Sequence, residues 1–147
     1  MKTLADVPAV VDTNILVYSL DTNARQHDRA KALCDAAAAG KFPGFITTQV
    51  VLEYISIVTN PKRVAVPVSC VQAWEDVKEF MTAFSVLPLR VEDIERVASL
   101  SQELNLAGPK LFDLGIAVSA LGAGINTVYT YDTSVFGRIP GLHVVEP

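Results

Sequence analysis

Apolar residues along this chain fall into two alternating kinds of segment. Short runs without in/out alternation (PAVVD, GFITT, SVLPL, NTVYT and GLHVVEP) read as strands, and between them lie longer stretches with apolar positions every three or four residues. The first strand ends at Asp12, and TNILVYSL reads as a short helix. QHDRAKALCDAAAAG reads as a helix with Ala30, Leu33, Cys34 and Ala37 inward, stopped by Gly40. TQVVLEYISIVTN is helical, with Thr48 as the expected N-cap, and Asn60-Pro61 ends it because proline disfavours helix in the residue before it. PKRVAVPVS is a loop. CVQAWEDVKEFMTAF carries Val71, Trp74, Val77 or Lys78, and Met81 along its expected inner face. RVEDIERVASLSQELN does the same with Val91, Ile94, Val97, Ala98 and Leu104, and LFDLGIAVSALGAG is a largely apolar helix.

Strands without alternation are covered on both faces, which favours a parallel sheet. Strand–helix alternation then gives an α/β three-layer sandwich with a mostly parallel sheet, and such sheets hold ligands beyond the carboxyl ends of their strands. No repeat, linker or low-complexity run divides the chain, so 1–147 reads as a single domain.

Composition adds limits. Half the residues are hydrophobic and 19% are charged, which suits a packed core and excludes a disordered chain. Cys34 and Cys70 lie in no metal-ligand spacing and read as reduced, core or half-buried thiols, in keeping with a cytoplasmic location. MKTLADVPAVVDTN lacks the apolar core of a signal peptide, and no apolar run is long enough to span a bilayer. The net charge of −4 and pI near 5.1 argue against gripping nucleic acid by overall electrostatics. Bound divalent cations would reverse the local sign at an acidic site.

Most of the 16 acids sit among polar neighbours: Asp28, Asp35, Glu75, Asp76, Glu79, Glu92, Asp93 and Glu95 fit solvated helix faces. Four do not. Asp12 ends AVVD, Glu53 lies inside VVLEYISIV, Asp113 inside LFDLGIAV, and Asp132 follows TVYTY. Glu53 stands on a helix apolar on nearly every side, where an unpaired carboxylate costs several kcal/mol unless it is protonated, paired or metal-bound. Taken singly, each acid has an ordinary explanation: an ion pair with Lys62, Arg63 or Arg90 for Glu53, helix N-caps for Asp12 and Asp113, a turn with Thr133 and Ser134 for Asp132. Taken together, Asp12 and Asp132 follow strands whose ends share one sheet edge, and Asp113 and Glu53 can reach that edge from their helices. Four converging carboxylates raise one another's pKa values and call for hard divalent cations, magnesium or manganese. The only two histidines, His27 and His143, read as surface or strand residues, which argues against zinc.

At these residues the chain resembles a known family. VVDTNILVY with Asp12, Thr13 and Asn14, TQVVLEYISIVTNPKR with Glu53, and LFDLGIAVSALGAGINTVYTYDTSVF with Asp113, Thr130 and Asp132 are similar to the ordered acidic blocks of PIN-domain nucleases. The ending GRIPGLHVVEP looks like the tail of VapC-type toxins from bacterial toxin–antitoxin pairs. The resemblance implies a five-stranded parallel sheet, Mg2+- or Mn2+-dependent endoribonuclease activity on an RNA substrate, a small antitoxin partner and a homodimer. It assigns Asp12, Asp113 and Asp132 to metal binding. Glu53 binds metal or orients the attacking water, while Asn14 and Thr130 fix carboxylate orientation. Two departures fall in the fourth block: Ser134 where the family often has an acid or amide, and Phe136 one residue beyond the usual aromatic spacing. Lys62, Arg63, Lys110 and Arg138 are candidate phosphate contacts, and Tyr131 and Phe136 either stack bases or fill the core. Three rival readings are a haloacid-dehalogenase-type phosphatase, which wants an aspartate where Asn14 stands, a catalytically silent PIN-like binding module, and a nuclease acting on DNA.

Overall fold

The computed structural model describes residues 6–147; the leader reading of MKTLA falls outside them. Strand β1 (Ala9–Val11) is wholly buried and stops at Asp12. The Asp12 carboxylate accepts the Thr13 backbone N–H and so starts α1 (Thr13–Leu20). Then come α2 (His27–Ala38) and β2 (Gly44–Thr47), with Gly40 at φ +69° ending α2 as a glycine C-cap should. Helix α3 (Thr48–Val58) is capped by the Thr47 hydroxyl, which accepts the Val50 N–H. The expected cap at Thr48 is therefore one residue late, because Thr47 is the residue with extended backbone. Ser69 caps α4 (Cys70–Ala83), followed by β3 (Ser85–Leu87) and a 3-10 turn at Val91–Asp93. The order ends with α5 (Ile94–Glu103), α6 (Lys110–Gly122), β4 (Thr127–Tyr129), a 3-10 turn at Phe136–Arg138 and β5 (His143–Val145).

All five strands are parallel, in the order β3-β2-β1-β4-β5. The chain leaves β1 to one side through β2 and β3, then crosses back to β4 and β5. Right-handed crossovers therefore put α1 to α4 on one face and α5 and α6 on the other. The packing agrees: α1 touches α2 and α3, α4 touches α2 and α3, and α5 packs on α6. The expected sandwich is present, with its strand-order reversal between β1 and β4, where a doubly wound sheet opens a crevice.

Several helix faces differ from expectation. On α4 Val77, rather than its alternative Lys78, is buried as expected, but it is joined by Ala73 and Phe80, whereas Val71, Trp74 and Met81 are exposed. On α5, Leu100 is buried and Val97 and Leu104 are half-buried, but Val91, Ile94 and Ala98 face outward. Asp93 is not solvated: it is buried, and Arg90 reaches forward three residues to bond both its oxygens while also donating to the Gly122 carbonyl. Asp76 is half-buried and accepts the Tyr54 hydroxyl at 2.8 Å. Cys34 is half-buried as expected, with burial pushing its thiol up to about 11, whereas Cys70 is exposed at the start of α4.

Candidate active site

Asp12 sits at the carboxyl end of the central strand and is buried. Its backbone N–H donates to the Tyr129 carbonyl, which ties it to the end of β4. One carboxylate oxygen accepts the Thr13 N–H at 2.7 Å, so the N-cap role is real. The other accepts the Thr130 hydroxyl at 2.7 Å and the Asn14 amide at 3.3 Å. Thr130, itself fully buried, also accepts the Asp132 N–H at 3.0 Å, and the Asn14 carbonyl accepts the Tyr131 N–H at 3.4 Å. Asn14 and Thr130 thus stitch the end of β1 to the turn after β4 and fix the Asp12 carboxylate plane.

Glu53 is half-buried in the second turn of α3. The Thr13 hydroxyl donates to one of its oxygens and the Gln49 amide to the other, both at 2.9 Å. The ion pair considered for it is not made. Arg90 serves Asp93, Lys62 and Arg63 are exposed in the loop after α3, and no ion pair among the described residues includes Glu53. Asp113 lies in the first turn of α6, behind Pro109, and is not the cap. It is half-buried and accepts no hydrogen bond among the described residues. Asp132 is exposed, and one of its oxygens accepts both the Ser134 hydroxyl at 2.7 Å and the Ser134 N–H at 3.0 Å.

The field ties these four together. Burial pushes Asp113 up to about 7, and the charges of Asp12, Glu53 and Asp132 push in the same direction. Burial also raises Asp12 to about 6 against the pull of the Thr130 and Thr13 hydrogen bonds, with Glu53 and Asp132 adding to the rise. Asp132 is held below the ordinary carboxylate range by Ser134. As the side chains stand, no three acidic, histidine or cysteine groups among the described residues form a ready ligand cluster. Both oxygens of Asp12 and of Glu53, and one of Asp132, are turned to hydroxyl, amide and N–H donors, and only Asp113 is wholly unengaged. The four acids share one electrostatic neighbourhood without sharing a coordination sphere.

Two participants carried no expected role. Gln49 is four residues before Glu53 on one helix face, a spacing that could have flagged it. Thr13 reaches Glu53 across 40 residues of sequence, which no local pattern reveals. The aromatic candidates are occupied elsewhere. Phe136 is fully buried, and Tyr131 sets its ring edge-on to Tyr18 with a buried hydroxyl. Arg138 donates to the Leu104 carbonyl. His27 bonds the Tyr18 carbonyl through its ring, and His143 is exposed on β5.

A family model described as the PIN domain matches residues 9–142, a span that includes all four acids. This chain belongs to the PIN-domain family. A VapC ribonuclease of Mycobacterium bovis is 27% identical over 113 residues, covering 76% of this chain and 77% of that protein. Among solved structures, a toxin–antitoxin complex from Klebsiella pneumoniae is 26% identical, with a TM-score of 0.63 over 93% of this chain and 95% of the other. VapC20 of Mycobacterium tuberculosis, a Sarcin-Ricin loop cleaving toxin, shares the fold at 17% identity, with a TM-score of 0.71 over 95% and 99% of the two chains.

Two clefts of this PIN domain lie away from the acids. One, of about 260 Å³, is lined by Val17, Leu20, Tyr54, Val58, Val64 and Val68 among others. The second, of about 210 Å³, lies between α2 and α4. No helix among the described residues is long and apolar enough to cross a membrane.

Proposed function

We propose that this PIN domain, read as one domain over 1–147, is a divalent-metal-dependent endoribonuclease and the toxin of a toxin–antitoxin pair. The observation that carries the reading is the electrostatic state of Asp113, a half-buried carboxylate raised toward neutrality by its burial and by three other acids drawn from distant parts of the chain. Such an arrangement costs stability and gains a purpose once a cation is shared.

The donor chemistry fits a hard cation: carboxylate oxygens and hydroxyls, with no imidazole or thiolate among the site residues, favour Mg2+ or Mn2+. Asp12, Asp113 and Asp132 would hold it. A divalent ion there supplies Lewis acidity, making water a competent nucleophile at neutral pH and offsetting charge on the phosphate. The remaining work belongs to the chain. Thr130 and Asn14 hold the Asp12 carboxylate in one orientation. Thr13 and Gln49 hold Glu53, which serves at the ion or orients the attacking water. Lys62, Arg63 and Lys110 are exposed and free to meet phosphates.

The preference for RNA rests on the relatives that are named ribonucleases. The phosphatase alternative loses support because Asn14, at the position where a second carboxylate is wanted, donates to Asp12. The apolar cleft beside Leu20 and Val66, both well exposed, supports an antitoxin partner, and exposed Leu89, Val91 and Ile94 support a homodimer. A cytoplasmic site of action follows from the RNA substrate.

The decisive experiment incubates the purified chain with generic single-stranded RNA and manganese. Cleavage is expected, along with its loss in EDTA and in Asp113→Ala. In cells, growth arrest on expression, relieved by Asp113→Ala, is the matching outcome. Cleavage that persists in EDTA or in Asp113→Ala refutes the assignment.

A further inference from the structure

We propose that Phe112 is a base-stacking platform at the lip of the acid cluster, where an unpaired nucleobase of the RNA lies on its ring and holds the adjoining phosphate at the acids. The ligand class rests on the ribonuclease reading above. On α6, the positions three, four and seven residues after Phe112 are Gly115, Ile116 and Ser119, and all are buried. Phe112 itself is 52% exposed. Every residue from Leu114 to Ala120 is buried, so at its N-terminal end α6 emerges from the core only in its first turn, where Leu111 and the Phe112 ring are exposed. The next residue is Asp113.

No other aromatic group is placed for this task. Phe112 and Trp74 are the two exposed aromatic residues among the described residues. Trp74 belongs to α4, which packs on α2 and α3 and carries none of the four acids. Tyr131 is set against Tyr18, and Phe136 is fully buried. The charge balance adds a reason for stacking. A chain of net charge −4 with four acids in its site holds a polyanion poorly by charge alone, whereas stacking on a π-face is indifferent to charge and available to every base. Lys110, exposed two residues earlier in the same turn, adds a phosphate contact beside the ring.

The test puts 2-aminopurine into a short single-stranded RNA and reads its fluorescence on binding to the full chain in the Asp12→Asn background. In parallel, kcat and KM are measured on the same RNA with manganese and Asp12 intact. Stacking predicts quenching that disappears in Phe112→Ala and Phe112→Leu and returns in Phe112→Tyr. KM should rise at least about fivefold in the Ala and Leu variants, the low end for one base–aromatic stack, with kcat within about twofold. Leucine keeps the apolar bulk without a ring face, so a packing role survives it and a stacking role does not. Quenching and KM unchanged in both variants overturn the proposal. So does a dimer-to-monomer shift in Phe112→Ala that Leu restores, seen by sedimentation, since Phe112 is then a contact between copies. If the parent chain fails to cut RNA, the ribonuclease reading falls, while the quenching comparison still decides the role of Phe112.

Discussion

Asp12 does two jobs that usually compete. It caps α1 through one oxygen and, through the other, receives the Thr130 hydroxyl that closes the site. Asparagine preserves the cap oxygen and removes the charge, so Asp12→Asn should abolish RNA cleavage while the protein stays folded. Stability should move the other way. The carboxyl pKa is raised from 3.8 to about 6 at Asp12 and to about 7 at Asp113. A raised carboxyl pKa means the native state holds more protons than the unfolded chain, so the contribution of these two groups is fully present below about pH 4 and is lost as the pH climbs to about 7. Thermal melts of metal-free protein should show that decline, and Asp12→Asn should flatten it and gain on the order of 1–2 kcal/mol at pH 8. A variant that melts lower than its parent at pH 8 contradicts this. All four acids were legible in sequence because each stood in apolar company or at a strand end. Their donors were less so: Thr13 meets Glu53 only after the strands have paired, and Arg90 claims Asp93, a residue whose local pattern reads as solvated.

At the scale of elements, strand and helix order was readable from apolar spacing alone, and so was the stop at Gly40. Helix faces were read less well, for a definable reason. On α4, positions 71, 74, 78 and 81 and positions 73, 77 and 80 both follow helical spacing, and periodicity cannot say which stripe meets the sheet. The outer stripe carries the large Trp74 and Met81 side chains, and the inner one combines Phe80 with Ala73 where packing is close. The same closeness shows at Gly44, where an added methyl would stand 2.7 Å from the Phe84 ring. Gly44→Ala should cost about 1–3 kcal/mol by overpacking, measured by urea unfolding, and a neutral result would mean that β2 and α4 can move apart. The Thr47 cap makes a second test. Thr47→Ala should cost about 1 kcal/mol, and it should also lower kcat because the early turns of α3 carry Gln49 and Glu53.

For the whole molecule, the proposed function makes the site a store of electrostatic repulsion that a bound cation would release. Manganese at about 100 times its dissociation constant should stabilise the native chain by about 2.7 kcal/mol, visible as a higher melting temperature that Asp113→Ala abolishes. Equal stabilisation of both proteins would place the ion elsewhere. The arrangement that assembles the acids also sets when they can meet. Central strand β1 is made first but needs β4 as its neighbour, and the hydroxyl that orients Asp12 comes from Thr130. A ribosome must therefore polymerise nearly the whole polypeptide before the cutting centre can exist. On the function proposed above, a nascent chain stalled before β4 carries Asp12, Glu53 and even Asp113 but lacks the Thr130 hydroxyl that orients Asp12, and should therefore cut no RNA.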